Sequence, residues 1–112
     1  HVALARTLAA SMAAQADLPI DQLEDVRLAV DEAVSQLIGD AAPGADISCR
    51  FTVIGAELDI SVSAQTRSGA VPPTDTFSWT VLRALVDVVS ATAEGGTVTL
   101  ALHVVRAVAV EA

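Results

Sequence analysis

Polar side chains interrupt an otherwise apolar stretch in the first third of the chain. The run VRLAVDEAVSQLI has the spacing of an amphipathic helix, yet it contains Asp31, Glu32, Ser35 and Gln36. Carboxylates can move protons when a reacting group lies beside them. At helical spacing Glu32 and Gln36 are neighbours, on a stripe predicted to lie roughly opposite the apolar face. Such a stripe is more often solvated surface than a site, so spacing alone leaves both interpretations open.

Composition limits the classes of function. The chain has 112 residues, which suits one domain with one core. Its formal net charge of −8 disfavours phosphate backbones and anionic membranes. The same charge suits a basic protein partner, although solubility alone explains it equally well. No apolar run approaches the roughly 20 residues of a membrane span, and Arg6 and Gln15 interrupt the one segment that resembles a signal peptide.

Three helices are predicted around these residues. The first covers residues 2 to 16, with Leu4, Leu8 and Met12 at four-residue spacing. The second begins at Asp21, which forms a capping box with Glu24, and it ends about 18 residues later at Gly39. The third covers Phe77 to Ser90. A polar segment with paired prolines, residues 65 to 76, is predicted to be the loop before it.

Three strands complete the predicted fold. Residues 47 to 53 and 57 to 63 alternate apolar and polar side chains around Gly55, which predicts a hairpin, and residues 97 to 105 alternate in the same way. The element order predicts an α+β two-layer sandwich, a mixed or antiparallel sheet covered on one face by three helices. The single cysteine, Cys49, falls on the apolar face of the hairpin, which indicates a reduced core residue of a cytoplasmic protein.

The run LAVDEAVSQLI resembles the N-box helix of the GHKL (Bergerat-fold) ATPases, specifically that of RsbW-like anti-sigma factors, which are serine-protein kinases. FSWTVLRALVDVV resembles the family's third helix. The resemblance implies that Glu32 is the general base, that Gln36, Gly96 and Thr97 lie at the nucleotide, and that Arg6 contacts the partner proteins. It extends from Leu4 to about Val105, and it implies one histidine-kinase-like domain over residues 1 to 112. The family's usual first strand is missing, which suggests a fragment.

The departures from the family pattern concern the nucleotide. The metal-holding Asn of the family falls on Gln36, and its adenine-reading Asp falls on Ala64. Its phosphate-wrapping GxG falls on Thr76, Phe77 and Ser78, which are bulkier at every position. We therefore expect a degenerate nucleotide site with no bound cofactor and no metal. If Phe77 or Trp79 filled the cleft, that would be the physical cause.

The resemblance thus implies a cytoplasmic anti-sigma factor that sequesters a sigma factor, is released by an antagonist and forms a homodimer. One alternative is an active kinase, with Mg-ATP bound, that phosphorylates a serine of the antagonist. A related domain adapted to an unrelated partner is a second alternative.

Trp79 is expected to pack in the core rather than anchor a partner, and His103 is expected to be an ordinary strand residue, because one histidine does not make a zinc site.

Overall fold

The computed structural model describes residues 17–107, which form an α+β unit. The elements follow the order α1, β1, β2, α2, β3, β4. Their bounds are Ile20–Asp40 for α1, Ser48–Ile54 for β1, Glu57–Gln65 for β2, Phe77–Leu85 for α2, Val88–Glu94 for β3 and Thr97–Val105 for β4. The predicted first helix and Arg6 lie outside the described residues.

The four strands form one antiparallel sheet in the order β1-β2-β4-β3. Two tight hairpins build it, with Ile54 opposite Glu57 in the first and Glu94 opposite Thr97 in the second. Gly55 begins the first turn with a φ of 59°, a conformation that glycine adopts without strain. The two longest strands, β2 and β4, pair in the middle over nine residues each.

Both described helices pack on one face of this sheet. The inward residues of the two central strands alternate with outward polar residues and are almost fully buried: Leu58, Ile60, Val62 and Ala64 on β2, and Val98, Leu100, Leu102 and Val104 on β4. Helix α1 buries an apolar face against them, including Val26, Val30 and Leu37. The predicted α+β sandwich is confirmed, with a wholly antiparallel sheet and two helices on it in the described part of the chain.

The prediction of a third helix reaching Ser90 is wrong. Helix α2 ends at Leu85, Val86 is already extended, and Val88–Glu94 is a strand. The apolar spacing of Leu82, Leu85, Val86 and Val89 fits a helix locally. Pairing of the whole of β3 with β4 determines the outcome instead, as tertiary context often does over local preference. The pair Gly95 and Gly96 is therefore a hairpin turn within the sheet.

The predicted capping box at the start of α1 is also wrong. The helix begins at Ile20 after Pro19, and no side chain caps its first turn. Glu24 instead forms a salt bridge with Arg27, with 3.0 Å between its Oε1 and the arginine Nη1. The helix is 21 residues long and includes Gly39. Neither described helix is long and apolar enough to cross a membrane.

Candidate functional site beside the end of helix α1

The polar stripe of α1 is only partly solvated. Leu28 is 54% exposed, but Asp25, Glu32 and Gln36 are half-buried. Helix α2 packs against α1, and the Gln36 Oε1 accepts a hydrogen bond of 3.3 Å from the Ser78 hydroxyl. The stripe therefore borders the second helix at Gln36, whereas Leu28 is solvated surface.

The first turn of α2 is capped by a side chain at its own N-terminus. Thr76 is the N-cap residue, and its Oγ1 accepts a hydrogen bond of 3.2 Å from the backbone N–H of Trp79. Trp79 is 2% exposed, so its prediction as a core residue is confirmed. Its indole N–H has no hydrogen-bond partner within residues 17–107. Phe77 points away from the core and is 83% exposed.

A cleft of about 490 Å³ lies where the end of α1, the start of β4 and the loop after β2 meet. Its polar lining residues are Gln36, Asp40, Thr66 and Ser68. The remaining lining is apolar and comes mainly from the loop: Ala70, Val71, Pro72 and Pro73, with Leu37 and Val98 behind them. Neither Phe77 nor Trp79 lines this cleft, so neither side chain provides the physical cause that was considered for loss of nucleotide binding.

The loop wall of the cleft is fastened to the end of α1. The Ser68 hydroxyl donates to the Asp40 carboxylate at 2.5 Å, and the backbone N–H of Arg67 donates to the Asp40 carbonyl at 2.7 Å. The Ser68 Oγ also accepts a hydrogen bond of 3.2 Å from the N–H of Ala70. Side-chain and backbone contacts thus fix residues 67 to 70 in place.

The same loop is also fastened to the β3–β4 turn. The N–H of Thr66 donates to the Gly96 carbonyl at 3.0 Å. Gly69 has a φ of 60°, and a Cβ added there would lie 3.3 Å from the Gly96 Cα. The loop and the turn therefore approach each other too closely for a side chain at Gly69 to fit without a shift.

The predicted site residues are only partly brought together. Gln36 lines the cleft, whereas Glu32 is half-buried on α1 and does not line it. Gly96 supports the loop through its carbonyl, and Thr97 begins β4 directly after it. The motif comparison missed Asp40 and Ser68, because a hydrogen bond between residues 28 positions apart has no local sequence signal.

Other titratable side chains lie on the face of the sheet opposite the two described helices. His103 lies between two carboxylates of β2, with Nδ1 2.5 Å from the Asp59 Oδ1 and Nε2 3.1 Å from the Glu57 Oε1. The hydrogen bond to Asp59 is the main cause that raises the pKa of His103 above its usual 6.5. Among the described residues, no group of three or more His, Cys, Asp or Glu side chains could hold a metal ion. His103 is therefore more than an ordinary strand residue, since its ring nitrogens contact two carboxylates of β2 and link β4 to β2 ionically when the imidazole is protonated.

Cys49 faces the helices from edge strand β1 and is half-buried, as the alternating pattern predicts. Burial raises the pKa of its thiol, which lowers the fraction present as nucleophilic thiolate.

No protein-family model matches the chain. Two curated relatives do: the proteins named anti-sigma-F factor RsbW from Mycobacterium tuberculosis strains CDC 1551 / Oshkosh and ATCC 25618 / H37Rv. Each is 37% identical over 87 residues, which is 78% of this chain and 52% of the relative. The chain thus spans about half the length of the curated relatives it matches. It is related to the RsbW-like anti-sigma factors, which confirms that part of the resemblance its motifs indicated.

Proposed function

We propose that this chain is an anti-sigma regulatory domain that holds a sigma factor inactive by covering part of its surface. The observation that carries the proposal is 37% identity, over 78% of the chain, to proteins named anti-sigma-F factor. The net charge of −8 supports a protein partner over direct contact with nucleic acid. The domain works in the cytoplasm, where sigma factors act, as a homodimer released by an antagonist protein.

The proposal includes a histidine-kinase-like fold with α1 as its N-box helix. The antiparallel sheet with both described helices on one face supports it. The cleft beside Gln36 lies at the end of that helix and under the loop that follows β2.

We further propose that the nucleotide site is degenerate. Ala64 is 4% exposed and has no carboxylate to select adenine. The Thr76 side chain caps α2, and the Ser78 hydroxyl is bonded to Gln36, so both side chains occupy positions at the helix N-terminus where the family admits phosphates. Losing a charge-assisted hydrogen bond costs about 1.5 to 3 kcal/mol, which alone lowers affinity at least about tenfold.

One observation favours the kinase alternative. The cleft beside Gln36 is open, since neither Phe77 nor Trp79 fills it. Titration of Mg-ATP by calorimetry at about 50 µM protein separates the two functions, because a working site binds well below that concentration. The degenerate site predicts no heat of binding. One-to-one binding at low micromolar levels would contradict the degenerate site and favour the kinase, and phosphate transfer to the antagonist that Glu32→Ala abolishes would establish it.

Partner capture tests the anti-sigma function itself. Tagged full chain purified from its native host should retain a sigma factor, and Arg6→Ala should weaken that retention. Arg83→Ala is the matched control, since Arg83 is an exposed arginine on α2. Arg83→Ala should keep the free energy of unfolding within about 0.5 kcal/mol, the usual span for surface substitutions, and Arg6→Ala should do the same if Arg6 is exposed, as a partner-contacting role requires. Recovery of no sigma factor with the parent chain, under conditions where the RsbW relative retains one, contradicts the proposal.

A further inference from the structure

The cleft at the end of α1 has the size and surface of a small-molecule site. Its volume of about 490 Å³ lies within the range of roughly 300 to 1,000 Å³ that is typical of ligand pockets. Most of its lining is apolar, with Leu37 and Val98 on the core side and Val71, Pro72 and Pro73 on the loop side. The hydrogen bond from Ser68 to Asp40 joins its two walls, the loop and the end of α1.

Its charge selects against anions. Among the described residues that line it, Asp40 is the single charged side chain. Arg67 lies between Thr66 and Ser68 in sequence, but its side chain is exposed and does not line the cleft. A carboxylate or phosphate group entering there meets a like charge beside an apolar surface and no compensating cation, which is unfavourable. A cationic group entering the cleft would instead find the Asp40 side chain as its partner.

Two polar atoms remain available at one wall. Asp40 bonds Ser68 through its Oδ2, and its Oδ1 has no hydrogen-bond partner within residues 17–107. Gln36 accepts from Ser78 through its Oε1, and its side-chain NH2 likewise has none in that range. A carboxylate oxygen and an amide donor therefore lie beside an apolar surface, the combination that orients a ligand by one polar end.

We propose that this cleft binds a small ligand with an apolar body and one cationic amine, with the ammonium on Asp40 and the body against Leu37, Val98 and the two prolines. The ligand class differs from a nucleotide, whose phosphates carry the opposite charge. The inference does not depend on the anti-sigma function, because it concerns only the lining of the cleft.

Three indole compounds with the same ring and different charge test the proposal: tryptamine, tryptophol and indole-3-acetate. Each is titrated into the ¹⁵N-labelled full chain, and amide shifts are recorded. We expect tryptamine to shift Leu37, Ser68 and Val98 with a Kd of about 1 mM, reasonable for a fragment of this size. Tryptophol should bind at least about tenfold more weakly, since it lacks the charge, and indole-3-acetate should not bind at all.

Variants test whether the Asp40 carboxylate is responsible for the preference for tryptamine. Asp40→Asn should abolish the preference of tryptamine over tryptophol, whereas Asp46→Asn, an exposed aspartate outside the lining, should leave it unchanged. Ala70→Phe places bulk in the cleft and should weaken tryptamine and tryptophol alike, and this variant serves if Asp40→Asn does not fold.

Three outcomes overturn the proposal. One is no shift with tryptamine up to about 10 mM, well above the expected Kd. Another is equal binding of tryptamine and indole-3-acetate. The third is a set of shifts confined to Asp21, Asp25 and Asp87, which line a separate pocket and would show that tryptamine binds an acidic protein without regard to the cleft. None of these outcomes bears on sigma-factor capture, so the two proposals fail independently.

Discussion

The Ser68 hydroxyl and the Asp40 carboxylate are joined by a hydrogen bond of 2.5 Å that closes the loop after β2 onto the end of α1. Asp40 also receives the backbone N–H of Arg67 at its carbonyl, so one residue holds the loop at two points. The bond couples the wall of the cleft to the helix that carries Glu32 and Gln36. The loop is therefore part of the folded unit, although it has no regular secondary structure.

A double-mutant cycle on this pair should reveal direct coupling. Ser68→Ala and Asp40→Ala each remove the hydrogen bond, and the coupling free energy from urea unfolding should be about 1 kcal/mol, below the 1.5 to 3 kcal/mol of buried charge-assisted bonds because both side chains meet solvent. Ser35→Ala is the control, since this exposed serine of α1 has no hydrogen bond from its side chain in the described structure. A coupling near zero would show that the bond does not persist in solution.

Two glycine substitutions should change the free energy of unfolding in opposite directions. Gly69→Ala should lower the free energy of unfolding by about 1 to 2 kcal/mol, because φ is positive there and the new Cβ meets the Gly96 backbone at 3.3 Å. Gly39→Ala should raise it by about 0.5 to 1 kcal/mol, because Gly39 lies in helix α1 with open space around its Cβ. Thermal or urea unfolding of both variants measures the difference. Equal effects would contradict the loop geometry.

Trp79→Phe should cost less than its buried volume suggests. The indole N–H is buried without a partner among the described residues, a state that costs about 1 to 3 kcal/mol in the parent chain. Removing it offsets part of the lost packing, so the free energy of unfolding should fall by about 1.5 kcal/mol or less. Leu82→Ala, a fully buried neighbour on the same helix, should cost about 2 to 5 kcal/mol. A loss above about 3 kcal/mol in Trp79→Phe would indicate that the N–H has a partner.

The hairpin and the last strand could be predicted because their side chains alternate strictly. Residues 47 to 53 and 57 to 63 offer one apolar face at period two, and Gly55 lies at the turn, so no helix competes with that pattern. Strand β3 could not be predicted from the sequence, since Val86 and Val89 continue the helical spacing of α2. Its pairing with β4 decides its structure, and that pairing is not visible locally.

Of the site residues predicted from the sequence, Gln36 lines the cleft, whereas Glu32, Gly96 and Thr97 do not. The contributions of Asp40, Thr66 and Ser68 arise from the path of a loop with no periodic pattern. The bond between Ser78 and Gln36 likewise joins two helices that are 42 positions apart at that contact. Side-chain pairs of this kind follow from the packed fold rather than from spacing.

The ionic link of His103 should make stability depend on pH. The imidazole donates to both Asp59 and Glu57 only when it is protonated, and the bond to Asp59 is the first cause that raises its pKa above 6.5 in the folded chain. When folding raises the pKa of a histidine, its protonated form stabilises the folded state. This stabilisation is complete at pH values below the pKa of the unfolded chain and is lost as the pH rises through the pKa of the folded chain. The stabilisation should therefore be present at about pH 6 and absent at about pH 9.

His103→Gln is the test of this link. Because the three side chains are partly exposed, the variant should lose only about 0.5 kcal/mol of unfolding free energy at pH 6, and close to none at pH 9, with the loss reduced by salt. Asp59→Asn should lower the pKa of His103 toward 6.5 in an NMR titration, whereas Asp46→Asn should not change it, because Asp46 does not contribute to the raised pKa. A His103→Gln loss of equal size at both pH values would mean that the imidazole contributes by packing alone, and a wild-type pKa at or below 6.5 would mean that the link to Asp59 does not form in solution.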